Sequence, residues 1–90
     1  MGPNNVKAYH NRGEAYLAKG IQDRALSDFN KAIEIAPNPN SYFRKAVILE
    51  DMGRIQDAVE AYKNFMVYAS GQDATRAGYV KERIEKLKGK

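Results

Sequence analysis

Cysteine and tryptophan are absent from this 90-residue chain, histidine occurs once and proline three times. Without cysteine there is no disulfide, thiolate zinc site, iron–sulfur cluster or cysteine nucleophile. One histidine is too few for a catalytic zinc, which takes about three protein ligands. No apolar run approaches the ~18 residues of a membrane span. The opening segment MGPNNVKAYH lacks the apolar stretch of a signal peptide. No Asn-x-Ser/Thr acceptor occurs. These absences suggest a cytoplasmic chain. Phosphate-cradling glycine loops are missing too, since Gly20 and Gly53 stand alone. Ser27, Ser41 and Ser70 lack the sequence setting of an activated nucleophile. His10 and Glu14 stand one helical turn apart, which reads as a polar pair on one helix face. Enzyme chemistry, a metal and a cofactor are therefore not expected.

What is present is ordinary for a globular chain: 43% hydrophobic and 29% charged residues. The length suits one domain, residues 1–90. The net charge is +4, of which +3 falls in residues 73–90 through Arg76, Lys81, Arg83, Lys86, Lys88 and Lys90 against Asp73, Glu82 and Glu85. A nucleic-acid surface shows a denser basic stripe with interleaved aromatics. Nucleic acid is therefore not the expected partner.

An internal repeat organises the chain. At an offset of 33 residues Tyr9 meets Tyr42, Arg12 meets Lys45, Gly13 meets Ala46 and Tyr16 meets Leu49. Gly20 meets Gly53, Ala25 meets Ala58, Leu26 meets Val59, Phe29 meets Tyr62 and Ile33 meets Met66. Aromatic falls on aromatic and small on small, the mark of a duplicated unit. Each unit reads as two helices. Tyr9, Gly13, Tyr16 and Leu17 recur at helical spacing, and Gly20 ends that helix. The second helix runs from about 22 to 35, with Ala25, Leu26, Phe29, Ala32, Ile33 and Ala36 as its buried stripe and Asp23 in its first turn. Asn38-Pro39 reads as a cap followed by proline at the first helical position. Tyr42, Ala46 and Leu49 then line a third helix, and Ala58, Val59, Tyr62, Phe65 and Met66 a fourth. After the break at Ser70-Gly71-Gln72, Asp73 is expected to cap a last helix striped by Ala77, Val80, Ile84 and Leu87, loosened by Gly78. Gly13 is expected to face Ala25, and Ala46 to face Ala58, so that each helix pair approaches closely. The aromatics at 9, 16, 29, 42 and 62 sit on repeat-defining positions and are read as core.

The set Tyr9, Gly13, Tyr16, Ala25, Phe29, Ala32 and Pro37, with the run Asn11-Arg12-Gly13-Glu14-Ala15-Tyr16, resembles the tetratricopeptide repeat family. Tyr42, Ala46, Leu49, Ala58 and Tyr62 continue the resemblance; Phe65 and Ser70 depart from the family's alanine and proline. The resemblance implies an all-α helical-hairpin superhelix: repeat one about 6–38, repeat two about 39–72 and a capping helix about 73–88. It further implies a non-enzymatic module that binds a peptide or protein segment in a concave groove lined by the first helix of each repeat. Mapped onto this chain, that groove is expected to use Lys7, His10, Asn11, Phe43, Arg44, Val47 and Arg76. Glu14, Ala18, Asn40, Glu50, Asp51, Tyr79 and Arg83 lie on the same helices. Phe43 and Val47 read equally as a small apolar pocket or as packing against the neighbouring helix.

Some family members clamp chaperone C-terminal carboxylates with lysine, asparagine and arginine. In the direct alignment those positions hold His10, Glu14, Arg44, Thr75 and Tyr79, none of which matches, and Glu14 would repel a carboxylate. Shifted by one repeat, Asn11 and Arg44 match but Asn40 replaces a lysine. The expected partner is a protein or peptide, with acidic or C-terminal carboxylate groups among its candidate features. The alternatives are self-assembly through exposed repeat ends and weak polyanion or RNA binding through the basic last helix.

Overall fold

The computed structural model describes residues 5–89. It is built from α1 (Val6–Ala18), α2 (Gln22–Ile35), α3 (Pro39–Asp51), α4 (Ile55–Tyr68), a 3-10 turn at Gly71–Asp73 and α5 (Ala74–Lys88), without strands among the described residues. This is an all-α stack of two helical hairpins and a fifth helix. Helices α1 and α2 pack as one hairpin and α3 and α4 as the next, while α2 lies against α3 and α4 against α5. The shortest dimension is 19 Å, about two helix diameters.

Local chemistry places each boundary. Asn5 Oδ1 accepts from the Ala8 N–H at 3.0 Å to start α1, and Asn38 Oδ1 accepts from the Ser41 N–H at 2.9 Å to start α3 at Pro39. Helices α1 and α3 end in the same way. The N–H of Ile21 donates to Tyr16 O at 2.9 Å and that of Gly20 to Leu17 O at 3.0 Å. Thirty-three residues later, Arg54 donates to Leu49 O and Gly53 to Glu50 O at the same distances, 2.9 and 3.0 Å. These are Schellman motifs, and they require a left-handed residue. Gly20 and Gly53 supply it, with φ of +79° and +80°.

The entry to α5 differs from the expectation. Asp73 makes no side-chain cap bond to α5. It instead closes a capping box with Ser70 around the 3-10 turn, accepting from the Ser70 N–H at 3.0 Å. That hydrogen bond, with Arg76, lowers the Asp73 carboxyl below its ordinary value. Gly78 sits exposed within α5, which runs unbroken from 74 to 88.

The core divides in two. One cluster joins Ala46, Leu49, Ala58, Ala61, Tyr62, Phe65, Val80 and Leu87; the other joins Ala25, Phe29 and Ile48. Full burial of a side chain such as Phe29, Phe65 or Ile48 stabilises by roughly 1.5–3 kcal/mol. The side chain nearest Gly13 is Phe29: a Cβ on Gly13 would lie 2.9 Å from Phe29 Cζ and 3.1 Å from both Cε atoms. The closest approach is helix to ring, and only glycine leaves room for it. One expectation needs correction: Ala36 is exposed, because its extended backbone (φ −154°, ψ 104°) already leaves the helix ahead of Pro37.

Candidate functional site

Helices α1, α3 and α5 lie side by side and in parallel register, as the side chains that join them show. His10 Nδ1 lies 3.1 Å from Ser41 Oγ, and Arg44 Nε lies 3.0 Å from Glu14 Oε1, so α1 meets α3 twice. Helix α3 meets α5 through Glu50, which accepts from Arg83, and through Phe43, whose ring centroid is 6.0 Å from that of Tyr79. Helix α2 packs against α1 and α3, and α4 against α3 and α5. The result is a three-helix face carrying first-helix residues from each unit.

At the α1–α3 junction, His10 is held on three sides. Its Nδ1 meets the fully buried Ser41, its Nε2 lies 3.5 Å from Glu14, and its ring stands edge-on to Phe29 at 5.2 Å. Glu14 thus serves two helices, facing His10 on its own and Arg44 on the next. At the α3–α5 junction, Glu50 uses both oxygens: one accepts from the Tyr62 hydroxyl at 2.9 Å and the other from Arg83. Burial, with Tyr79 close by, pushes the Tyr62 phenol above its ordinary value.

Phe43 forms the middle of the face. Its ring packs against Tyr62, Phe65 and Tyr79, with centroids 6.4, 5.7 and 6.0 Å away. The Arg76 guanidinium lies 5.4 Å from the Phe43 centroid and 5.3 Å from that of Phe65, within cation–π range. The same guanidinium pairs with Asp73. Phe43 therefore packs against neighbouring helices while staying half-buried, and Tyr79 beside it is exposed.

The seven expected groove residues fall into three groups. His10 and Arg44 are brought together through Glu14. Phe43 and Arg76 are brought together directly. Lys7 and Asn11 are exposed on α1 and Val47 half-buried on α3. Sequence reasoning missed Ser41 as the partner of His10, and missed the pairing of Glu14 with Arg44 and of Glu50 with Arg83. A signal for the last two existed. Opposite charges 30 and 33 positions apart lie about one repeat apart, which places them on adjacent parallel helices.

The outer side of the first hairpin carries a different cluster. Arg12 donates two hydrogen bonds of 2.8 Å to the buried Asp28, a bidentate pair. The hydrogen bond and charge of Asp28 hold the Arg12 guanidinium above its ordinary value. Arg12 also lies 5.8 and 5.9 Å from the Tyr9 and Tyr16 centroids. Among the described residues, no group of three or more His, Asp or Glu side chains could hold a metal ion. No described helix is long and apolar enough to cross a membrane.

Two models of the tetratricopeptide repeat match in succession, one at residues 6–39 and the other at residues 39–65. The chain belongs to the tetratricopeptide repeat family. The repeat is a non-catalytic module that generally mediates protein–protein interaction. Tetratricopeptide repeat protein 28 of Homo sapiens is 41% identical over 63 residues, which cover 69% of this chain and 2% of that protein. Hsp70-Hsp90 organizing protein 3 of Arabidopsis thaliana is 37% identical over 62 residues, covering 68% of this chain and 11% of that protein. An uncharacterized protein of Methanocaldococcus jannaschii is 38% identical over 65 residues, covering 69% of this chain and 76% of its own length. The chain thus spans only a small part of the first two relatives.

Proposed function

We propose that the α1–α3–α5 face is a groove that binds an extended peptide or a segment of another protein, and that the chain acts without catalysis. The carrying observation is the aromatic pair Phe43 and Tyr79, on a face whose three helices are joined by the ion pairs Glu14–Arg44 and Glu50–Arg83. A rigid face of this kind loses little conformational freedom on binding. Lys7, His10, Asn11, Phe43, Arg44, Val47 and Arg76 are the proposed contacts. Asn11 offers a donor and an acceptor to a peptide backbone, Lys7 offers positive charge near the N-terminal end of α1, and Arg76 offers its guanidinium plane beside Phe43. The word "organizing" in the name of the Arabidopsis relative describes that protein, and it fits an adaptor role for the repeat.

The polyanion reading draws less support. Arg76 and Arg83 on α5 are paired with Asp73 and Glu50, and Lys88 lies 3.9 Å from Glu85. The test of the groove is a peptide library selected on the full chain, followed by titration of the best binder against an Asn11→Ala/Arg44→Ala double variant. Weakened binding with an unchanged fold is the expected result. Unchanged affinity would show that the segment docks elsewhere.

A further inference from the structure

Three arginines belong to this face, and each already holds a carboxylate of the chain: Arg44 holds Glu14, Arg83 holds Glu50 and Arg76 holds Asp73. An arginine draws in a carboxylate through its charge and its forked N–H donors together. Arg44 gives its Nε–H to Glu14, with the two carboxylate oxygens at 3.0 and 3.2 Å. The Nη donors remain, but Glu14 offsets the charge beside them. A carboxylate approaching those donors meets an arginine already neutralised by Glu14, whose side chain is 36% accessible. Displacing Glu14 would exchange one ion pair for another and break a link between α1 and α3. Neither approach offers net attraction to set against the cost of association.

We infer that Glu14 is the specificity-determining residue of this groove, holding Arg44 so that segments docking through a carboxylate are rejected and uncharged segments are accepted. This rests on the groove reading above. The discrimination comes from a built-in repulsion rather than from a contact to the preferred partner. Glu14 acts through Arg44 and is a positioning residue. Glu50 does the same for Arg83 at the next junction, but there the Tyr62 hydroxyl also holds the carboxylate, so the α1–α3 junction is the one open to change.

The probes are two short peptides, acetyl-Gly-Tyr-Gly-Asp with a free C-terminus and its uncharged counterpart acetyl-Gly-Tyr-Gly-Asn-amide. They are titrated into the full chain and its Glu14→Gln variant at low salt. Glu14→Gln is expected to strengthen binding of the acidic peptide about tenfold or more, while the uncharged one changes less than about twofold. The gain should vanish in Glu14→Gln/Arg44→Gln. Equal affinity of the unaltered chain and Glu14→Gln for the acidic peptide would overturn the inference, as would a gain that survives loss of Arg44. Melting temperatures check folding, and Glu14→Ala serves in place of a glutamine variant that fails to fold. A second readout needs no peptide. Added acetate should shift the Arg44 Nε–H resonance in Glu14→Gln and leave it in place in the unaltered chain. A shift of that resonance in the unaltered chain would contradict the inference. A peptide selected from the library that binds outside the α1–α3–α5 face would instead defeat the groove reading, leaving the acetate result to stand on its own.

Discussion

The two hairpins share a plan and differ in what covers them. In the second, α3 and α4 are flanked by α2 on one side and α5 on the other, and Ala61 is buried at 2% exposure. In the first, the position 33 residues earlier is Asp28, buried at 4% exposure and held by Arg12. Where the second hairpin has a helix as its neighbour, the first has a guanidinium lying across Tyr9 and Tyr16. The small slot differs as well. Ala46 is buried in the same cluster as Tyr62, whereas Gly13 sits directly under the Phe29 ring. A repeat therefore fixes the shape of each position, and the neighbour decides whether an apolar or a paired charged side chain fills it.

The largest effect should come from removing the ring that the first hairpin is built around. Phe29→Ala is expected to cost about 3–5 kcal/mol, enough to unfold much of a domain whose total stability is on the order of 5–15 kcal/mol. Chemical denaturation of the full chain measures it.

Next comes the ion pair. Arg12→Ala strands a buried carboxylate, while Asp28→Ala removes that carboxylate and copies the alanine of the second hairpin. Arg12→Ala should therefore lower the melting temperature more than Asp28→Ala. The reverse order would show that Asp28 is not held by Arg12.

A smaller effect sharpens the glycine comparison. Gly13→Ala gains about 1 kcal/mol of helix propensity. It also drives a Cβ into a fully buried ring that cannot yield, at a cost of about 1–3 kcal/mol. A net loss of about 1 kcal/mol is expected from these two magnitudes. In a Phe29→Leu background the same change should become a gain, and a double-mutant cycle reads the coupling.

The smallest effect is absent at neutral pH. Burial raises the Tyr62 and Tyr42 phenols, both of the second hairpin, above their ordinary value of 10.0. A raised acid keeps its proton longer in the folded state. The stability it contributes is present below about pH 10 and is lost as pH rises through the folded values. Alkaline titration should show phenolate absorbance from these two tyrosines appearing late and together with unfolding.

Much of the fold could be read from the chain because its punctuation is local. Gly20, Gly53 and Asn38-Pro39 act through their own backbone, so the ends of α1 and α3 and the start of α3 were predictable. Phe29, Tyr62 and Phe65 were expected as core and are fully buried. The entry to α5 was less clear, because Ser70 and Asp73 bond to each other instead of to the helix. The candidate face was legible by helix but not by partner. His10, Arg44 and Phe43 were placed on the right elements. Ser41, Glu14 and Tyr79 acquire their roles only across helices, where spacing within one helix carries no information. Phe43 was undecided between pocket and packing, and it packs, touching three rings while staying half-buried.

The most direct test is a nuclear magnetic resonance map of the full chain titrated with the strongest peptide selected from a displayed library. Shifts concentrated on α1, α3 and α5, centred on Phe43 and Tyr79, are the predicted result. Shifts confined to α2 and α4, or to the Arg12–Asp28 side of the first hairpin, would contradict the groove.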